Sequence, residues 1–302
     1  MRADPTNRPG ATALAEKGWW RAHQWLLLRR ASQAFFLALF LAGPLVGLWL
    51  VEGTLASSLT LGLLPLSDPY VILQALAARH WPEMSALVGA VIVFGAYALL
   101  GGRVYCAWVC PINPVTDLSA WLHQRLALPK GWQPKRATRL WLLGTTLLVS
   151  AITGTIAWEA VNPITLLHRG LLYGIGLAWL VVLALFLFDL FVSRRGWCGH
   201  LCPVGAFYGL VGAKSLLRVS ARARAACDDC MDCFAVCPEP QVITPALRGA
   251  PGSSPVILSG DCSNCGRCID VCSKDVFHFA TRFDRETVSA PLAEPESERR
   301  AA

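Results

Sequence analysis

Residues 227–238 read Cys-Asp-Asp-Cys-Met-Asp-Cys-Phe-Ala-Val-Cys-Pro, and residues 262–273 read Cys-Ser-Asn-Cys-Gly-Arg-Cys-Ile-Asp-Val-Cys-Ser. Both runs space their cysteines at x2, x2 and x3, the interval at which thiolates bind 4Fe-4S clusters, with the fourth cysteine of each run ligating the other run's cluster. The spacing therefore predicts one cluster on Cys227, Cys230, Cys233 and Cys272, and a second on Cys262, Cys265, Cys268 and Cys237. Three thiolates at x2 spacing wrap one cube from a tight loop, and the fourth, on the following turn, reaches across. Pro238 stops a helix from continuing past the first run; Ser273 stands at that place in the second and leaves every ligand intact. Structural zinc is the competing reading, but zinc sites usually use paired ligands separated by a longer spacer.

Upstream of these runs the chain changes character. Of 302 residues 54% are hydrophobic and only 16% charged, a balance that points to a membrane rather than to one ordinary globule. The apolar residues concentrate in four stretches, 31–51, 85–102, 140–158 and 171–192, each near the roughly 20 residues that cross a hydrocarbon core. The last carries one acid, Asp189.

Lys and Arg accumulate on cytoplasmic loops. Here they crowd the segment before the first stretch (Lys17, Arg21, Arg29, Arg30), the loop after the second (Arg103, Arg125, Lys135, Arg136, Arg139) and the segment after the fourth (Arg194, Arg195, Lys214, Arg218). The loops at 52–84 and 159–170 hold one arginine each, Arg79 and Arg169. The pattern predicts a multi-pass protein of the bacterial inner (cytoplasmic) membrane with both termini cytoplasmic, and it accounts for the net charge of +7 without a nucleic-acid site. All twelve cysteines then lie on the reducing side, which disfavours disulfides. About 30 residues precede the first stretch, which reads as an uncleaved anchor rather than a signal peptide. Trp19, Trp20 and Trp25 among basic residues suit a segment lying on the headgroups.

The apolar half reads as one unit written twice. Asp68-Pro69 precedes Tyr105, Cys106, Cys110 and Pro111; Asn162-Pro163 precedes Trp197, Cys198, Cys202 and Pro203; 94 residues separate the loop prolines and 92 the cysteines. Such offsets are what duplication of a helical hairpin leaves. On a helix, i and i+4 share a face, so each Cys-x3-Cys-Pro presents two thiols together. Three readings stand: a further metal centre or cluster between the repeats, a dithiol redox couple, or plain packing.

Asp189, Glu159 and His168 are candidates for proton handling, against blander roles as a partner of Arg194 and Arg195, a cap and a loop residue. No Cys-x-x-Cys-His is present and none of the six histidines lies in an apolar stretch, so haem is not expected. No glycine-rich nucleotide fingerprint precedes a helix. Iron-sulfur clusters are the only evident electron carriers, with a lipid-soluble quinol as the natural donor.

The expected architecture is an all-α membrane domain of four transmembrane helices, a duplicated helical hairpin, plus a small α+β two-cluster domain like bacterial ferredoxins. Its boundaries are a cytoplasmic or interfacial segment at 1–30, the membrane domain at 31–218, the cytoplasmic cluster domain at 219–283 and a disordered tail at 284–302.

Six stretches, KGWWRAHQWLLLRR, YCAWVCPINPVTDL, TGTIAWEAVNPI, GWCGHLCPVGA, CMDCFAVCPEP and CGRCIDVCSKDVF, resemble the NapH family of membrane quinol dehydrogenase components serving periplasmic nitrate reductase. The resemblance implies four spans, a NapG-like periplasmic iron-sulfur partner and electron flow from menaquinol or ubiquinol toward nitrate, as a subunit rather than a self-contained enzyme; it names no catalytic residue. Related chains with the same motifs include ferredoxin-type proteins of methylamine utilisation and copper-oxidase assembly factors. A maturation role and a purely structural membrane dock are the rival readings.

Overall fold

The computed structural model describes residues 8–129, 131–174, 176–250 and 252–285. Most of the tail expected at 284–302 lies outside the described residues. The chain divides into two compact units, one of residues 27–216 with 260–265, the other of the described parts of 1–26, 217–259 and 266–302.

The larger unit is mostly helical. Helix α1 (Ala11–Val46), which belongs to this unit from residue 27 on, contains Pro44; its break at Gly18, whose φ of 76° only glycine adopts freely, falls in the smaller unit. Strands β1 (Val51–Gly53), β2 (Ser57–Thr60) and β3 (Leu64–Ser67) form an antiparallel sheet in that order, with Val51 opposite Thr60 and Ser57 opposite Ser67. There follow α2 (Pro69–Ala77), α3 (Met84–Leu100), α4 (Val104–Trp108), α5 (Ile112–Arg125), α6 (Thr138–Thr153), α7 (Pro163–Tyr173) and α8 (Gly176–Leu187). Two π turns, Phe188–Val192 and Trp197–Leu201, lead into α9 (Pro203–Val211).

By length and composition α1 alone among the described residues is sufficient to cross a bilayer; Met84–Leu100, Thr138–Thr153 and Ala178–Val192 are apolar but shorter. The stretch 171–192 is not one helix. Residues 171–173 end α7, and Gly174 closes it with a left-handed φ of 64°, the usual glycine C-cap.

The two halves of this unit share local structure as well as sequence. Asp68 and Asn162 are both N-caps, their side-chain oxygens accepting from the amides of Tyr70 (2.9 Å) and Ile164 (3.1 Å), each with proline at the first helical position. Their cores merge, since Tyr70, Tyr105, Ile112, Leu143, Trp158, Ile164, Val204 and Tyr208 belong to one buried cluster. Where the ends of α3 and α9 meet, backbones nearly touch: a Cβ on Gly102 would fall 1.7 Å from the carbonyl oxygen of Tyr208.

In the smaller unit β4 (Leu217–Ser220) pairs antiparallel with β5 (His278–Thr281), Leu217 opposite Thr281. Three short helices, α10 (Asp232–Val236), α11 (Thr244–Leu247) and α12 (Arg267–Val271), fill the interval, and α10 packs on α12. The segment before residue 27 is tied to this α+β unit. Asp270 accepts the amides of Trp25 (3.0 Å) and Leu26 (2.9 Å), Asp232 accepts that of Gly10 (2.8 Å), and the Trp25 ring meets Phe279 edge-on at 4.6 Å. Trp19 and Trp20, by contrast, are exposed.

Candidate functional site

The first three cysteines of the first run meet the last cysteine of the second. Cys227, Cys230, Cys233 and Cys272 line one hollow together with Phe234, Val276 and Phe277. The Val276 amide donates to Cys272 Sγ at 3.5 Å, the kind of bond that stabilises a cluster thiolate. Burial pushes the thiols of Cys227, Cys230 and Cys233 up, Cys230 to about 11 and Cys233 to about 12, so thiolate persists there only beside positive charge, which iron would supply.

The two runs fold alike. Asp229 and Met231 in the first and Asn264 and Gly266 in the second all take left-handed φ values, 56°, 67°, 47° and 72°. Each loop then enters a five-residue helix, and Cys237 and Cys272 follow in extended conformation. The backbone thus repeats the x2-x2-x3 pattern as two equivalent loop-helix units. Residues 260–265, with Cys262 and Cys265, belong to the larger unit.

There that segment is held by groups the sequence reading passed over. Arg103 donates from Nη1 to the Asp261 carbonyl and from Nη2 to the Cys198 carbonyl, both at 3.0 Å. Arg139 donates to the Gly199 carbonyl at 3.1 Å and pairs with Asp261 at 2.5 Å. Trp108 Nε1 donates to the Asn264 carbonyl at 3.0 Å, and Asn264 Nδ2 to that of Leu100 at 3.2 Å. Both arginines are buried, although by charge alone they read as loop residues. The only signal in sequence was Arg103 lying three residues before Cys106.

The four remaining cysteines come together. Cys106, Cys110, Cys198 and Cys202 line a single hollow with Tyr105, Trp158, Ile164 and Trp197. Trp158 and Trp197, one from each half, stack with centroids 6.2 Å apart. With the open space at its mouth this hollow measures about 400 Å³, against about 350 Å³ for that of the first run. The expectation that each pair occupies one α-helical face is corrected. The Cys110 amide bonds the Tyr105 carbonyl (3.0 Å) and the Cys202 amide bonds the Trp197 carbonyl (2.9 Å), both five residues back. Pro111 and Pro203 follow at once and cannot continue an α-helical ladder, so each turn widens. Burial raises all four thiols, Cys202 to about 12.

The proton-handling candidates are placed as follows. Asp189 is fully buried, and its Oδ1 accepts the Trp197 amide at 3.0 Å, holding the turn that carries Cys198. Arg195 lies 3.7 Å from Asp117, which also pairs with Arg30 at 2.5 Å. Glu159 braces the second N-cap, accepting from Asn162 Nδ2 (2.8 Å) and Thr165 Oγ1 (2.9 Å). His168 is 2% exposed, meets Phe40 edge-on, and neither ring nitrogen has a hydrogen-bond partner among the described residues; burial lowers its pKa and favours the neutral ring. The sequence reading missed Asp68 as anything beyond a loop marker, although it receives the Tyr208 hydroxyl at 3.1 Å.

These cysteine sites define an iron-sulfur protein. The family model described as "4Fe-4S binding domain" matches twice, at residues 83–129 and 175–221, and that described as "4Fe-4S dicluster domain" matches residues 226–276. The methylamine utilization ferredoxin-type protein MauN of Paracoccus denitrificans is 58% identical over 89% of this chain and 95% of its own length. The ferredoxin-type protein NapH of Escherichia coli is 51% identical over 91% and 95%. MauN of Methylorubrum extorquens is 53% identical over 90% and 94%. No solved structure matches the chain. The chain belongs to the ferredoxin-type family that includes NapH and MauN, and it is an iron-sulfur-binding electron-transfer protein.

Proposed function

We propose that this chain is a four-span protein of the bacterial inner membrane that takes electrons from a lipid-soluble hydroquinone, menaquinol or ubiquinol, and hands them to a partner iron-sulfur protein. The observation that carries this reading is the convergence of Cys106, Cys110, Cys198 and Cys202, two from each repeat, on one aromatic-framed hollow. The Asp261–Asn264 segment, at the head of the second cluster run, is bonded to the turns of that same unit. When bound, iron-sulfur clusters supply one-electron transfer. Cys227, Cys230, Cys233 and Cys272 hold one 4Fe-4S cluster, Cys262, Cys265, Cys268 and Cys237 a second, and the four thiols of the repeats a further centre. The arginine distribution puts both termini in the cytoplasm. The shorter apolar helices α3, α6 and 178–192 complete the crossing, with their ends in the interface.

The physiological system is methylamine utilisation, because the relatives at 58% and 53% identity bear that name. Supply of a NapG-like partner on the path to nitrate is the second reading, supported by the NapH relative at 51%. Anaerobic addition of a short-chain quinol to the purified chain should bleach the cluster absorbance. If dithionite bleaches it and no quinol does, the electron-carrier reading fails and a structural dock takes its place. Deleting the gene should abolish growth on methylamine while sparing nitrate respiration; the reverse phenotype selects the second system.

A further inference from the structure

Asp68 and Asn162 hold equivalent places in the two repeats, and the difference between them is informative. An amide caps a helix as well as a carboxylate does, and Asn162 does so. Capping therefore does not account for a carboxylate at 68. What distinguishes Asp68 is the Tyr208 hydroxyl, which donates to the same Oδ1 that receives the Tyr70 amide. The Tyr208 ring stacks on Tyr105 with centroids 5.1 Å apart and planes at 25°, and it meets Tyr97 edge-on at 5.1 Å. Tyr105 lines the four-thiol hollow and immediately precedes Cys106. A carboxylate thus stands two aromatic side chains from the thiols and is hydrogen-bonded to the first of them.

We propose that Asp68, through the Tyr208 hydroxyl, is the proton-accepting group of the membrane unit. This rests on the hydroquinone reading above. Oxidation of one hydroquinone releases two electrons and two protons. Two iron-sulfur centres would take one electron each; one proton passes to the Tyr208 oxygen as that hydroxyl gives its own proton to the Asp68 carboxylate, which releases it to water before the second follows by the same route. Asp68 is a positioning and relay group for this transfer, not one shown against the substrate.

The local field suits the task. Burial raises the Asp68 pKa to about 6, opposed by the Tyr70 amide and the Tyr208 hydroxyl and assisted by the negative charge of Glu159. The other titratable side chains facing it are Tyr70 on its own helix, Tyr97 and Tyr105.

The test uses the full chain in detergent. Asp68→Asn keeps the cap that Asn162 demonstrates, so the variant folds. Infrared titration of wild type should show a carboxyl band growing as pH falls through about 6; it should vanish in Asp68→Asn, return displaced in Asp68→Glu, and shift in Tyr208→Phe. Reduction of the clusters by short-chain ubiquinol or menaquinol should slow by about tenfold or more in Asp68→Asn with its pH dependence flattened, and recover in Asp68→Glu. An unchanged band in Asp68→Asn, or quinols that reduce wild type and Asp68→Asn at the same rate, overturn the proposal alone. Quinols that leave wild-type clusters oxidised overturn the hydroquinone reading and this proposal with it.

Discussion

Arg139 and Asp261, 122 residues apart in sequence, meet with Nη2 and Oδ1 at 2.5 Å. The arginine is buried and the carboxylate one-third exposed, so the pair lies between the surface and interior regimes. Arg139 also donates to the Gly199 carbonyl, which fastens the residue before Cys262 to the turn that carries Cys198. Removing one partner leaves the other charge poorly paired. A double-mutant cycle of Arg139→Ala and Asp261→Ala, followed by chemical unfolding, should return a coupling of about 1–3 kcal/mol. A coupling indistinguishable from zero would show that the pair does not fix this segment.

The raised pKa of Asp68 carries a stability prediction of definite sign. Between about 4 and 6 the folded state binds a proton that the unfolded state has released, so stability falls as pH rises through that window. Above about 6 the full cost of burying the carboxylate is present. Asp68→Asn removes it and keeps the cap. The variant should be more stable than wild type at pH 7 to 8 and lose that advantage below about 4; thermal midpoints across this range check it. Equal midpoints at all pH values would mean that the carboxylate is solvated in the folded state.

How much of this was legible in the sequence depends on the scale of the interaction. Three of a cluster's four ligands lie close in sequence, so the x2-x2-x3 spacing of Cys227–Cys237 and Cys262–Cys272 marks both runs, and the offset between Cys106 and Cys198 exposes the repeat. The sheet β1–β3 was hidden because its strands are three or four residues long and owe their pairing to tertiary packing: the Pro65 backbone lies against Gly89 of α3 so closely that a Cβ there would come within 2.8 Å. Arg103 and Arg139 were counted as loop charge because composition cannot tell a solvated guanidinium from one spent on carbonyls of a distant turn. The widened turns at Cys110 and Cys202 depend on which carbonyl each amide selects, and only Pro111 and Pro203 hinted at it.

Gly266 lies at a position with φ of 72°, and a Cβ there would fall 2.6 Å from Trp25 Cβ and Cγ. Its counterpart in the first run is Met231, with φ of 67°. The left-handed backbone alone therefore tolerates a side chain; the Trp25 contact is what demands glycine. Gly266→Ala should cost about 1–3 kcal/mol and hasten loss of cluster absorbance on heating, whereas Met231→Gly should change either by little. Equal effects of the two would assign the requirement to the backbone and not to Trp25.

The four thiols of the repeats make the sharpest prediction about composition. Among the described residues no three Cys, His, Asp or Glu side chains converge on a point that a single ion would fill. This holds for Cys106, Cys110, Cys198 and Cys202, and equally for Cys227, Cys230, Cys233 and Cys272, whose spacing is that of cluster ligands. Both sets line hollows, and the family match over both repeats is to a 4Fe-4S binding domain. Anaerobically purified chain should therefore contain about twelve iron atoms, four for each of three clusters. Replacing all four repeat cysteines by serine should lower the count to about eight while leaving the spectroscopic signature of the dicluster domain in place, and Cys106→Ser alone should lower it partway. About eight iron atoms in wild type and variant alike would assign these cysteines to a dithiol couple or to packing.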